Sequence, residues 1–191
     1  MKRKLSTLLL AVLLLAGGGY FLFEVIKIEF KAKVAQILLE NTWNKSLKVG
    51  EALKPWKTFD GKPVLKLQIP EYNISQIVLE GTSGQALAFG PSFHKETFLP
   101  NSNKITAISS HRDSHGKYIK NLKIGDIIKL QDLNSVWHTY QIEEFLIVNI
   151  KDDISINQTN RLLLITCYPF EAILPGTPFR YIVSAKNLKF I

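Results

Sequence analysis

The chain of 191 residues has one cysteine and one methionine. A single cysteine excludes an internal disulfide and a zinc site made of cysteines alone. No internal repeat and no low-complexity tract interrupts it, and only one long uncharged run occurs, so a collagen-like rod and a polytopic membrane protein are excluded. A basic stripe is also missing. The net charge of +8 suggests a nucleic-acid partner only until it is divided along the chain. Residues 46–191 carry seventeen Lys and Arg against thirteen Asp and Glu, spread without aromatic interleaving, so no nucleic acid is expected. What remains, 46% hydrophobic and 21% charged residues, is ordinary for one folded domain.

The one long apolar run covers residues 5–23, behind Lys2, Arg3 and Lys4. Its length and basic flank predict a membrane anchor over residues 1–24, with the rest of the chain exported. A cleaved signal segment ending near Ala16-Gly17-Gly18 is the competing expectation. Residues 25–45 read as an amphipathic helix through Ile26, Phe30, Val34, Ile37 and Leu38. That helix either packs on the domain or lies on a membrane surface, and Trp43 and Trp56 favour packing. Gly50, Pro55 and Gly61 mark residues 46–61 as a linker.

Helical periodicity is scarce beyond residue 62. Strands are expected over residues 64–69, 74–79, 104–109, 126–130, 136–150, 161–166 and 179–185, separated by Gly81, Gly90-Pro91, Pro100-Asn101, Gly125, residues 132–134 and Pro175-Gly176. Seven or eight such strands suggest a closed barrel or a sandwich. Short helices are expected at 83–89 and 117–122.

Cys167 invites a chemical reading. A lone thiol can be a small buried hydrophobe. Cys167, however, follows the apolar strand through Thr166 and precedes Tyr168-Pro169, which puts it at a strand end, where functional groups gather. A cysteine nucleophile needs a base or an imidazolium partner. Of the four histidines, His111 also follows an apolar strand; His94 and His138 read as solvated and His115 as a loop residue. His111 and His115 lie four apart, but no third ligand stands at a convincing spacing, so no metal is expected. Arg180, brought back by a hairpin through Pro175-Gly176, is the candidate to hold a developing oxyanion; an arginine in a strand is otherwise a surface residue.

The segments Ile165-Thr166-Cys167, Ser110-His111-Arg112-Asp113 and Phe179-Arg180-Tyr181, in the order His, Cys, Arg, resemble the active-site signatures of sortases. The strings Thr166-Cys167-Tyr168-Pro169-Phe170 and Leu87-Ala88-Phe89-Gly90-Pro91 resemble the sortase group of Gram-negative bacteria. Ser110 departs from the glycine that commonly precedes the histidine, and Ile165 from a common valine.

The resemblance implies a mainly β fold, a closed eight-stranded barrel over residues 62–191 with short helices, preceded by the transmembrane and amphipathic helices. It implies a membrane-anchored cysteine transpeptidase on the periplasmic side of the inner membrane. Its partners would be an exported protein bearing a C-terminal LPXTG-like sorting signal and an amine acceptor. Cys167, His111 and Arg180 would be catalytic, and Thr166 would contribute to substrate binding. No cofactor is required, and the acidic cluster of calcium-binding sortases is not evident. Two alternatives stay open: an exported cysteine peptidase that only hydrolyses, and a non-catalytic membrane-anchored barrel adaptor.

Overall fold

A computed structural model describes residues 2–100, 102, 104–152, 159–172, 174 and 176–188. The chain divides into two compact units, residues 1–38 and residues 39–191. The first unit is helical throughout its described length, as the first part of α1 (Lys2–Val49).

The second unit is a closed barrel of eight strands. In chain order they are β1 (Pro63–Ile69), β2 (Ile74–Glu80), β3 (Ser92–Phe93), β4 (Thr106–Ser109), β5 (Ile127–Gln131), β6 (Trp137–Asn149), β7 (Arg161–Tyr168) and β8 (Phe179–Asn187). Around the barrel the order is β1-β2-β3-β4-β7-β8-β6-β5, with β5 returning to β1. All neighbours are antiparallel except β2 with β3 and β4 with β7. Closure leaves no unpaired edge for other chains to join. α2 (Gly84–Phe89) is capped by Ser83, whose Oγ accepts from the Ala86 amide at 3.0 Å. A 3-10 turn occupies Lys117–Asn121.

Alternation along the strands sorts side chains to the two barrel faces. Leu65, Leu67, Ile108, Leu130, Leu162, Leu164 and Val183 meet in the interior core. A second cluster joins the last turns of α1 to the barrel: Leu39 and Trp43 are buried with Phe59, Ile77, Leu79 and Ala86. A third, outer-face cluster holds Ala107, Leu163 and Ile182, with Ile105, Leu146, Val148 and Ile165 against it.

The eight-stranded barrel with short helices agrees with the expectation. The membrane-spanning helix does not. Among the described residues no helix is long and apolar enough to cross a membrane. This overturns the single-pass inner-membrane topology and the membrane-anchored form of the activity.

Candidate active site

β4, β7 and β8 are consecutive neighbours in the barrel, and their registers decide which side chains stand level. In the antiparallel β7–β8 pair Cys167 lies directly opposite Arg180. Opposed residues of such a pair share a face. In the parallel β4–β7 pair Ser109 is level with Ile165. The ladder runs on past the end of β4, because the Ser110 amide donates to the Ile165 carbonyl at 3.0 Å. β4 and β7 run parallel, so the residues just past Ser109 leave the barrel at the end where Cys167 stands, and His111 lies there, beyond the last rung. All three candidates thus gather at one end of three adjacent strands.

Cys167 and Arg180 also share one face. Leu162, Leu164 and Thr166 are buried toward the interior, while Leu163 and Ile165 belong to the outer cluster. Cys167 and Arg180 continue the outer series beyond the apolar cluster of Ala107, Leu163 and Ile182. Cys167 is a free, half-buried thiol, Arg180 is half-buried, and His111 is exposed.

One edge of the Arg180 guanidinium is anchored. Nη1 donates to the carbonyls of Thr177 at 2.7 Å and Phe179 at 2.9 Å. Nε and Nη2 donate to nothing among the described residues. A planar fork held along one edge and idle along the other is suited to receive a developing negative charge. Pro175, expected in the turn before it, lies outside the described residues.

The segment carrying His111 is fixed from below. Thr166 is buried on the opposite face from Cys167, and its hydroxyl donates to the Ser110 carbonyl at 2.8 Å. The structure therefore engages the expected substrate-binding hydroxyl with the backbone that leads into His111. The chain then turns back, with the Gly116 amide donating to the His111 carbonyl at 2.8 Å. A Cβ at Gly116 would stand 2.5 Å from Ser110 Oγ, 2.9 Å from the His111 carbonyl and 3.2 Å from Thr166 Oγ1. Only glycine lets the turn close this tightly.

The other histidines sit differently from the expectation. His115 is half-buried; its carbonyl accepts from Gln76 Nε2 at 3.1 Å. Burial pushes its imidazole below the usual histidine range, against a hydrogen bond with the Ala88 backbone, and the neighbouring His111 lowers it further. His94 is not simply solvated: its Nε2 lies 2.6 Å from Ser109 Oγ, and burial lowers its pKa against the opposing charge of Glu96. Nor is His138, which pairs with Asp132 at 3.0 Å and whose side chain is 12% exposed. Among the described residues no group of three His, Cys, Asp or Glu side chains could hold a metal ion.

Sequence reasoning passed over Gly116 and Arg112. The first could have been noticed as the glycine closing the polar run 111–115. The second gave no signal, since its partners are backbone carbonyls.

The sortase domain family model matches residues 67–188. Sortase D of Bacillus subtilis (strain 168) is 34% identical over 126 residues, 64% of this chain and 62% of that protein. The chain therefore spans less than two thirds of that relative's length. Among solved structures, a Clostridium perfringens Sortase D5 transpeptidase matches with a TM-score of 0.62 at 21% identity, over 82% of this chain and 98% of that one. Sortase A from Corynebacterium diphtheriae matches with a TM-score of 0.60 at 17% identity, over 83% of this chain and 86% of that one. At such identities these two likenesses speak for the fold alone. All three relatives come from Gram-positive organisms, so the expected kinship with the Gram-negative group has no counterpart among them. The family match covers well over half of the chain and includes the strands that carry Cys167 and Arg180 and lead into His111, and on that ground the chain belongs to the sortase family, enzymes of the cysteine-transpeptidase type.

Proposed function

We propose that this chain cleaves an LPXTG-like C-terminal sorting signal through a thioacyl intermediate on Cys167 and passes the acyl group to an amine. The observation that carries the reading is that Cys167 and Arg180 oppose each other on one face of β7 and β8, at the barrel end to which β4 leads the chain into His111.

In this reading the Cys167 thiolate attacks the Thr carbonyl of the signal, forming an S–C bond and an oxyanion. Arg180 receives that oxyanion on Nε and Nη2, while Nη1 stays on Thr177 and Phe179 and keeps the fork from turning. Donors in place before the charge appears avoid reorganisation during the reaction. The C–N bond then breaks, and His111, as imidazolium, protonates the departing glycine amine. His111, now neutral, takes a proton from the incoming amine as that amine attacks the thioester and releases Cys167. Thr166 acts through its bond to the Ser110 carbonyl, which sets the backbone ahead of His111.

The test is mass spectrometry of the full chain mixed with an LPXTG-type peptide, with and without an added amine. A thioacyl adduct on wild type, its absence in Cys167→Ala, and a peptide–amine product support the proposal. Cleavage that persists unchanged in Cys167→Ala, or no adduct and no product on wild type, overturns it. Cleavage without any amine product leaves hydrolysis as the activity.

A further inference from the structure

His111 and Arg112 are neighbours with opposite surroundings. His111 is exposed, whereas Arg112 is turned inward and is only 8% exposed. Burying a guanidinium is costly unless its donors are met, and here they are met in an unusual way. Nη1 donates to the Pro169 carbonyl at 2.7 Å, and Nη2 to the carbonyls of Ala172 and Leu174, the latter at 3.5 Å. Nε faces the Asp113 carboxylate at 3.3 Å, but that side chain is 78% exposed. No buried carboxylate among the described residues neutralises Arg112. Its charge is spread over three carbonyls of a single segment, the one that directly follows Cys167.

These contacts tie together two segments that β4 and β7 deliver to the same end of the barrel. One carries His111 and the other begins two residues past Cys167. The strand register sets the level of both residues only as far as Ser110 and Tyr168, where the ladders give out. Beyond that point Arg112 provides three of the cross-connections that the described residues show. The planar fork matters, because two nitrogens of one rigid group reach carbonyls three or more residues apart in the sequence. A lysine, a single charged point on a flexible stem, cannot span them.

We propose that Arg112 is a positioning residue that clasps the segment after Cys167 to the segment carrying His111, so that thiol and imidazole move as one body during turnover. The inference rests on the catalytic reading of Cys167 and His111 given above. A residue that contributed only to stability would, once replaced in a variant that still folds, leave the turnover number alone. A positioning residue lowers the turnover number at unchanged substrate affinity.

The experiment compares the full chain as wild type, Arg112→Gln and Arg112→Lys, well below each thermal midpoint. Three quantities are measured: kcat and KM on an LPXTG-type peptide with saturating amine, hydrogen exchange of the amides of residues 170–172, and the rate at which iodoacetamide alkylates Cys167. Should Arg112→Gln fail to fold, Arg112→Lys carries the test, because it keeps the charge. The expected result is a fall in kcat of at least tenfold with KM within threefold, faster exchange at residues 170–172, and poor rescue by lysine. Wild-type kcat in a folded variant overturns the clasp. A wild type that does not process the peptide would count against the transpeptidase reading instead. In that event unaltered exchange together with unaltered alkylation overturns the clasp, and a rise of about tenfold in exchange upholds it.

Discussion

On β7, Leu162, Leu164 and Thr166 face the barrel interior, and Leu163, Ile165 and Cys167 face outward. The inner series closes on itself. Its two leucines are packed by Ile108 and Val183, and the one polar member, Thr166, has its hydroxyl bonded to the Ser110 carbonyl. The outer series starts apolar and ends in a free thiol opposite an arginine with idle donors. The same strand thus supplies stability on one side and unspent chemistry on the other. Side-chain alternation is what allows this, since each residue can be chosen for its own face.

Replacing a residue on each face should separate the two roles. Arg180→Lys keeps the charge and removes the planar fork. Losing one fixed oxyanion donor commonly costs on the order of 100- to 1000-fold in kcat. Peptide affinity should change little, because the carbonyl carries only partial charge before attack. Steady-state kinetics with saturating amine check this, alongside a thermal midpoint that should hardly move. Near-equal turnover would make Arg180 a surface residue.

Leu164→Ala is the matching change inside. Leu164 is fully packed, so truncation leaves a cavity and should cost about 3 kcal/mol of folding stability. Urea unfolding measures the loss. The kcat of the protein that remains folded should stay within a few fold of wild type. A large drop in kcat with stability intact would mean that the two faces are not separable.

Gly116→Ala tests the place where the faces meet. The added methyl would press on Ser110 Oγ, the His111 carbonyl and Thr166 Oγ1 together. Two of those atoms belong to the backbone or to a buried bonded side chain and cannot swing aside. Overpacking of this kind costs about 1–3 kcal/mol. The same displacement moves the His111 segment, so activity should fall as well, by roughly two- to tenfold if half of that energy appears as misplacement. Denaturant titration and kinetics on one preparation decide it. A loss of stability with full activity would detach Gly116 from the site.

These contrasts also explain which parts of the molecule could be read from sequence. Strands bounded by turn residues were legible, because alternation and punctuation are local. β3 was not, since two residues joining β2 in parallel leave no pattern. That His111, Cys167 and Arg180 stand at strand ends was legible from their residue contexts. The pairing of Cys167 with Arg180 was not, because it depends on the register of β7 against β8. His94 and His138 were misread as solvated, since their partners Ser109 and Asp132 are assigned by folding. Arg112 was invisible for a stricter reason: backbone carbonyls have no identity in a sequence.

The smallest expected effect concerns His115, which is half-buried near His111. Burial is the main cause of its lowered pKa, with a further push from the nearby His111. A histidine whose folded pKa lies below its unfolded value of about 6.5 stabilises the fold in its neutral form. That contribution is complete above pH ~6.5 and is lost as the pH falls through the folded value, because the unfolded chain then binds the extra proton more readily. His94 is shifted the same way and contributes to the same acid-side loss. His115→Gln cannot titrate, so its unfolding free energy should fall less steeply between pH 7.5 and pH 5 than that of wild type. One proton bounds the difference in slope at about 1.4 kcal/mol per pH unit, and a partial shift gives well under that. His111→Gln supplies the second arm. Removing the neighbouring imidazole should raise the titration of His115, which is visible in its ring resonances by NMR. Parallel stability curves for wild type and His115→Gln would show that His115 titrates as it does in the unfolded chain, and that the outer face alone sets its environment.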